Sequence, residues 1–354
     1  MSTERPKSPT SAQVALRAGV SRTTVSFVLN GVMNRGISES TRAKVLAIAQ
    51  EMGFQPNAAA KSLASGMSGT VALVIPKASH LYVDAFLAQL VATINDACHK
   101  HELRMLIEST DEEVARIGGY MSLVRERSID GLIIANPKLE ELEHIQQVHQ
   151  ARIPLVVLAA TPDVFPGIQA ISTDASSSAK RAVNHLIGLG HRQIAFISFA
   201  PPEYYAVNER ELGWREALAE AGLVFSPELA EYANISAQSG YEAMQRLLAK
   251  GVKFTALFAG NDTIAFGAMR ALAESKLRVP EDVAVVGYDD IPLAAFANPP
   301  LTTVRSDPVG QANAAFELLF AQLKQSPDRS ASAKRVLLPP DLVIRASCGS
   351  KLER

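Results

Sequence analysis

The segment AGVSRTTVSFVLNG, Ala18 to Gly31, holds a glycine, a capping serine and a run of hydrogen-bonding side chains in the order a helix-turn-helix requires. Gly19 allows the tight turn, Ser21 can cap the next helix, and Arg22, Thr23 and Thr24 open that helix with polar groups. Val20, Val25, Val28 and Leu29 supply the side that packs. An arginine placed there can donate two hydrogen bonds to guanine, and a threonine can meet a base edge or a thymine methyl. Arg22 and Thr23 are therefore candidate base readers. Thr24 and Ser26 are better placed for phosphate, which positions a protein on DNA without specifying sequence. From this segment alone, the plain alternative is a surface helical hairpin with no ligand.

A second group of polar residues lies far along the chain. Asp174, Asn261 and Asp289 each fall just after a short apolar run, and Arg210 opens a helical stretch after QIAFIS. In open α/β sheets, ligands bind outside the carboxyl ends of the strands. Acids and amides there can pair with hydroxyls, and arginine with a hydroxyl, carboxylate or phosphate. The plain alternatives are a turn acid in GYDD for Asp289 and a structural ion pair for Arg210.

The elements that must position these groups can be read from local pattern. Thr10 and Gln13 form a capping box for a first helix ending at Gly19. Ser21 caps a second, which closes at the Asn30-Gly31 pair. Ser38 caps a third, whose Val45, Ile48, Ala49 and Met52 form one apolar face. Pro56 and Asn57 introduce AAAKSLASG, helix-prone but shorter than the ~12–15 residues an isolated helix needs. From residue 70, the runs VALVI, RMLIE, GLIIA, PLVVLA, QIAFIS, TALFAG and VAVVGY alternate with helical stretches, the rhythm of parallel βαβ units. Their number predicts two doubly wound sheets, with late strands near Leu301 and Val336 placed to cross back between them; residues 325–334 read as a surface loop.

Net charge is −1 over 354 residues, so whole-chain charge gives no argument for nucleic acid. Residues 1–66, however, hold eight Lys/Arg against three acids, or +5, leaving −6 for the remainder. A small basic head on an acidic body suits a head that meets a polyanion. Cys98 and Cys348 sit in no metal-like or CxxC spacing. The polar start MSTERPKSPTSAQ and the lack of a membrane-length apolar run predict a cytoplasmic protein without a membrane partner. No G-x-G-x-x-G, P-loop, H-E-x-x-H or nucleophile elbow occurs, so no enzyme activity, cofactor or metal is expected. His144 and His149, five apart, make a poor metal pair and read as a solvated helix face.

The run VA-x₃-GVSRTTVSFVLNG followed by ISESTRAKVLAIAQEMGFQPNAAAKSL closely resembles the head and hinge of the LacI/GalR family of regulators, over about sixty residues. The resemblance continues through IDGLIIAN, HLIGLGHRQIAFIS, RELGWREALAEAGL, FAGNDTIAFGAMRAL, VPEDVAVVGYDDIP, PPLTTVRS and DLVIRAS. It implies an N-terminal all-α helix-turn-helix head (1–55), a hinge helix and linker (56–69), and a two-lobed α/β sensor domain like type I periplasmic binding proteins (70–354). One lobe is expected over about 70–172 and 303–332, the other over about 173–302 and 333–354. The resemblance places Arg22, Thr23 and Phe27 at base-reading positions. It adds Asn30, Asn57 and Lys61 to the DNA-contacting set and makes Leu63 a wedge for the minor groove. It assigns Tyr82, Arg210, Asn261 and Asp289 to effector contact, with Asp174 at the lobe boundary. A plain domain linker is the alternative to the hinge reading.

The chain departs from the family at specific places. Phe27 stands where arginine is common; its ring can touch a thymine methyl but cannot read guanine. Lys61 replaces a usual arginine, and Gln13 the usual acid of the first helix. The loop Gly31–Gly36 is longer than in purine-repressor-like members. His80-Leu81-Tyr82-Val83 stands where the family often has Asn-Pro-Phe-Phe, and Ala159 where a polar residue commonly follows the strand. Tyr204 and Ile235 fall at pocket positions of purine-type relatives without reproducing their residues, which argues against a purine corepressor. The expectation is an allosteric repressor that reads a pseudo-palindromic operator as a homodimer or dimer of dimers and responds to a small polar effector, a sugar or sugar derivative. A solute-binding protein or enzyme on the same fold would lack the head and hinge. An architectural DNA-binding protein would lack the two-lobed body.

Overall fold

A computed structural model describes residues 9–29, 31–33, 35–54, 62, 66–110, 119–158, 165–324, 335–338 and 340–350. The chain divides into two compact units, Met1–Gly69 and Thr70–Arg354. Most of the expected hinge, with Asn57, Lys61 and Leu63, lies outside the described residues, as do Asn30, Ala159 and the loop 325–334.

The described residues of the first unit include the helices α1 (Ser11–Ala18), α2 (Arg22–Leu29) and α3 (Glu39–Glu51). Each start follows from local chemistry. Gln13 N–H donates to Thr10 Oγ1 while Gln13 Oε1 accepts from Thr10 N–H, closing the capping box. Ser21 Oγ accepts from Thr24 N–H at 3.0 Å and Ser38 Oγ from Thr41 N–H at 3.2 Å. Gly19 turns the chain at φ 72 between α1 and α2. Val14, Ala18, Val25, Val28, Val45 and Ala49 close the small core.

The second unit carries two six-stranded sheets. The first joins β1 (Thr70–Ile75), β2 (Arg104–Ser109), β3 (Gly131–Ala135), β4 (Leu155–Leu158), β5 (Gln169–Ser172) and β11 (Arg335–Leu337) in the order β11-β5-β4-β3-β1-β2, all parallel. The second joins β6 (Ile194–Ser198), β7 (Ala230–Tyr232), β8 (Ala256–Ala259), β9 (Ala284–Asp289), β10 (Thr302–Arg305) and β12 (Asp341–Val343) in the order β12-β10-β9-β8-β6-β7; only β12 is antiparallel. Both sheets reverse strand order beside their first strand, between β1 and β3 and between β6 and β8. At such switch points the loops part and leave a crevice.

Helices cover both sheets, including α4 (Ala85–Lys100), α5 (Met121–Arg125) and α6 (Leu142–Gln150) on the first. The second carries α7 (Ala175–Gly188), α8 (Tyr205–Glu220), α9 (Ala237–Ala249) and α10 (Asp262–Glu274). Small residues bring these helices into close contact. A Cβ on Gly267 would lie 1.9 Å from the Ala237 carbonyl oxygen, so α9 and α10 meet backbone to backbone.

Two lobe boundaries differ from the expected 303 and 333. TTVR remains in the second sheet, paired with β9, and the chain leaves it only at Pro308, which starts α11 (Pro308–Leu323). Its helical φ and missing N–H suit a first turn. RVL, expected in the second lobe, instead pairs with β5 of the first, and the chain crosses back beyond Leu338. The lobes are thus linked three times, after β5, β10 and β11.

Candidate functional site

In the head, α2 exposes Arg22, Thr23 and Ser26 along one side and half-buries Thr24 and Phe27. The Thr24 hydroxyl is shared with Ser21 Oγ at 2.9 Å, so it helps to cap α2. The Arg35 guanidinium lies over the Phe27 ring, 5.2 Å from its centroid. Sequence reasoning had no signal for this neighbour, which comes from the loop after the helix. Asn30 of the expected contact set lies outside the described residues.

In the body, a cavity of about 920 Å³, counted out to its open mouth, lies where the switch points of the two sheets face each other. Asp174, Arg210, Asn261 and Asp289 all line it. Two are helix caps as well as lining groups. Asp174, at φ 47, accepts from Ser177 N–H at the start of α7. Asn261 Oδ1 accepts from Ile264 N–H at 2.8 Å at the start of α10. Capping places both side chains at carboxyl ends of strands.

Tyr82 does not join them. It ends the 3₁₀ turn Ala78–Tyr82, is 82% exposed and stands outside the cavity lining. The same loop delivers His80 and Asp84 to the cavity instead. Asp84 caps α4, accepting from Phe86 N–H at 3.0 Å and Leu87 N–H at 3.3 Å. Asn136 after β3 and Glu209 beside Arg210 also line the cavity and were not anticipated. Of the purine-type positions, Ile235 lines the cavity and Tyr204 does not.

Arg210 organises the second-lobe wall. One guanidinium nitrogen donates to the Gly260 carbonyl, and Nη2 lies 3.5 Å from Asp289 Oδ1. The guanidinium stacks on Tyr288, 3.7 Å from the ring centroid, and on Phe199 at 4.4 Å. Its buried Nε–H meets no acceptor, and the buried Asn136 Oδ1 meets no donor, among the described residues. Asp289 holds φ 111, a conformation costly for a residue with a Cβ. The next residue, Asp290, is clamped by Arg305 and Arg345, each at 2.7 Å, which holds this turn in place.

Three carboxyls of the cavity lining are raised by burial. Burial pushes Asp289 up to about 7; Arg210 pulls it down and Asp84 raises it further. Burial also raises Asp84, against the amides of Leu87 and Phe86. Glu209 is raised by burial and by the charge of Asp174, while Tyr205 draws it down. The lobes touch at the rim: Leu139 N–H donates to Glu203 O at 2.9 Å, Tyr205 N–H to Pro137 O at 3.3 Å, and Thr263 Oγ1 to Val83 O at 3.4 Å. Among the described residues there is no cluster of three metal-ligating side chains, and no helix long and apolar enough to cross a membrane.

Residues 12–57 match the model of bacterial regulatory proteins of the lacI family, and residues 183–348 that of the periplasmic binding protein-like domain. Catabolite control protein A of Priestia megaterium is 32% identical over 82% of this chain and 85% of that protein. The HTH-type transcriptional regulator DegA of Bacillus subtilis (strain 168) is 32% identical over 94% and 96%. The HTH-type transcriptional repressor PurR of Pasteurella multocida (strain Pm70) is 29% identical over 96% and 98%. Among solved structures, the lac repressor dimer bound to operator and the anti-inducer ONPF superposes with a TM-score of 0.82 at 29% identity, covering 97% of this chain and 99% of that one. The complex of the transcriptional regulator CelR with cellobiose gives 0.69 at 31% identity, covering 96% and 99%.

Proposed function

This chain belongs to the lacI family of bacterial regulatory proteins, DNA-binding transcriptional regulators rather than enzymes, and from that premise we propose that it is a repressor switched by an uncharged, hydroxyl-rich effector, a sugar, held between its lobes. The observation that carries the reading is the cavity at the facing switch points, where Arg210, Asn261, Asp289 and Asp174 converge. Asp84, Asp174, Glu209 and Asp289 offer acceptors, and Asp289 already engages the one arginine of the lining. A phosphate or carboxylate on the ligand would meet like charge; hydroxyls would donate to these groups and accept from Arg210 Nε. The similar regulator CelR was solved with cellobiose, a neutral disaccharide.

DNA is the head's ligand, read in our proposal by Arg22, Thr23 and Phe27, with Ser26 and Thr24 at phosphates. Asn30, Asn57, Lys61 and Leu63 complete the interface, with Leu63 as wedge at a kinked base step. A homodimer acting in the cytoplasm on a pseudo-palindromic site fits the two-fold logic of such heads. An effector that prefers one closure state of the lobes, sensed by the hinge, would shift operator affinity by ~1–3 kcal/mol.

Thermal-shift screening of neutral saccharides beside their phosphorylated forms, followed by operator titration with each binder, tests this reading. A neutral saccharide should raise the melting temperature and change operator affinity. Binding by phosphorylated sugars alone would overturn it.

A further inference from the structure

We propose that Arg35, braced on the Phe27 ring, is a specificity-determining residue: it offers its guanidinium to a guanine at the base pair that Phe27 faces and cannot read. Phe27 lies one helical turn beyond Thr23 on the side of α2 that exposes Arg22 and Ser26. A phenyl ring has no hydrogen-bonding group, so by itself it leaves that position unable to distinguish guanine. Arg35 supplies what is missing. Its guanidinium sits over the ring at 5.2 Å, within the ~6 Å at which a cation is held by an aromatic face. Arg35 is exposed while it holds this contact, and a guanidinium carries five donors in a fixed fork.

The longer loop between α2 and α3 is tied down so that Arg35 arrives at that ring. Val32 N–H donates to the Phe27 carbonyl at 2.9 Å, folding the chain back over the end of α2. Arg42 of α3 donates to the carbonyls of Val32 and Met33. Gly31 and Gly36 take φ 69 and 66 at either end of the loop, a region open to glycine.

The arginines of the head among the described residues separate by role. Arg17 is paired with Glu51, and Arg42 is engaged by loop carbonyls. Arg22 and Arg35 are exposed, and neither forms an ion pair with a carboxylate among the described residues. One stands at the start of the recognition helix and the other over its last turn.

The test is selection of binding sites from randomised duplex DNA by the full-length protein and by Arg35→Ala, Arg35→Lys and Phe27→Leu, followed by titration of single sequences. The wild type should select a G·C pair at one position of each half-site. Arg35→Ala should accept all four bases there, losing roughly 5- to 150-fold in affinity for the guanine-bearing site, the worth of a bidentate contact. Arg35→Lys should keep binding to random DNA but lose the guanine preference, since a point charge replaces the fork. Phe27→Leu should weaken that preference in the same direction. Arg35→Ala with the wild-type consensus and an equal loss on every sequence would make Arg35 a phosphate contact and overturn the proposal, as would no loss at all. A wild type that selects no consensus would overturn sequence reading by the head and this inference with it. Arg35 is exposed, so unchanged melting curves confirm that each variant is folded.

Discussion

Replacing Asp289 by asparagine keeps the outline of the side chain and the tolerance for positive φ while removing its ionisation. Burial lifts the Asp289 carboxyl from 3.8 to about 7 in the folded protein. Over that interval the folded state keeps a proton that the unfolded chain has released. The stability this group contributes is therefore complete below about 3.8, declines as pH rises and is gone above about 7. Each pKa step is worth about 1.4 kcal/mol, so the wild type should lose about 2–3 kcal/mol relative to Asp289→Asn between pH 5 and pH 8. The variant should be the more stable protein at pH 8. Glu209, also raised by burial, is present in both proteins and cancels in the difference; Asp262 is raised by burial and then by the charge of Asp289, so the difference reports Asp289 together with its coupling to Asp262. Urea unfolding at half-unit pH intervals measures it. A hydroxyl donated by an effector favours the ionised carboxylate, so wild-type binding should release protons near pH 7 and the variant's should not. Parallel stability profiles would refute the assignment of this proton to a carboxyl buried beside Arg210.

Three further outcomes are expected. Arg22→Ala should weaken specific binding by ~1–3 kcal/mol while leaving affinity for random DNA nearly unchanged; equal losses on both in a titration would contradict base reading. Arg210→Met should abolish the response to effector and retain operator binding, because a polar ligand group left unpaired costs about 1–3 kcal/mol or more. Calorimetry beside a melting curve checks this, and joint loss of stability and DNA binding would make Arg210 a structural ion-pair residue instead. Gly267→Ala should destabilise the second lobe by about 1–3 kcal/mol or more, since its Cβ would lie 1.9 Å from the Ala237 carbonyl oxygen; an unchanged urea midpoint would contradict the contact between α9 and α10.

Local chemistry was the legible part of the chain. Thr10 with Gln13, Ser21 and Ser38 each announce a helix through neighbours three residues away, and all three caps form. The apolar runs announce strands because a strand covered on both faces has no polar side. Sheet membership was less legible. Thr302–Arg305 and Arg335–Leu337 look alike as short strands, and partners more than a hundred residues away decide which sheet receives RVL. In the cleft, residues after strands could be located, but the direction of a loop side chain could not. The turn Ala78–Tyr82 sends Tyr82 outward and delivers His80 and Asp84 inward. The same holds for Phe27, whose partner Arg35 belongs to a loop without periodicity.

The three crossings between lobes also order events during synthesis. Strands β6 to β10 emerge consecutively, so the second lobe collects five of its six strands from one uninterrupted stretch. The first lobe begins earlier, with β1 to β5, yet waits for Pro308–Leu323 and Arg335–Leu337 near the end of the chain. Until that helix arrives, β3 and β4 lack the cover of Leu319, which packs against Gly131, and the amide side chain of Gln322, which bonds both backbone groups of Leu155. Until β11 arrives, β5 presents an open edge. A nascent chain on the ribosome therefore carries a nearly finished second lobe beside a first lobe in which the part of the sheet that Pro308–Leu323 covers is still bare, and a message truncated before Pro308 leaves that part exposed for a chaperone or protease to find.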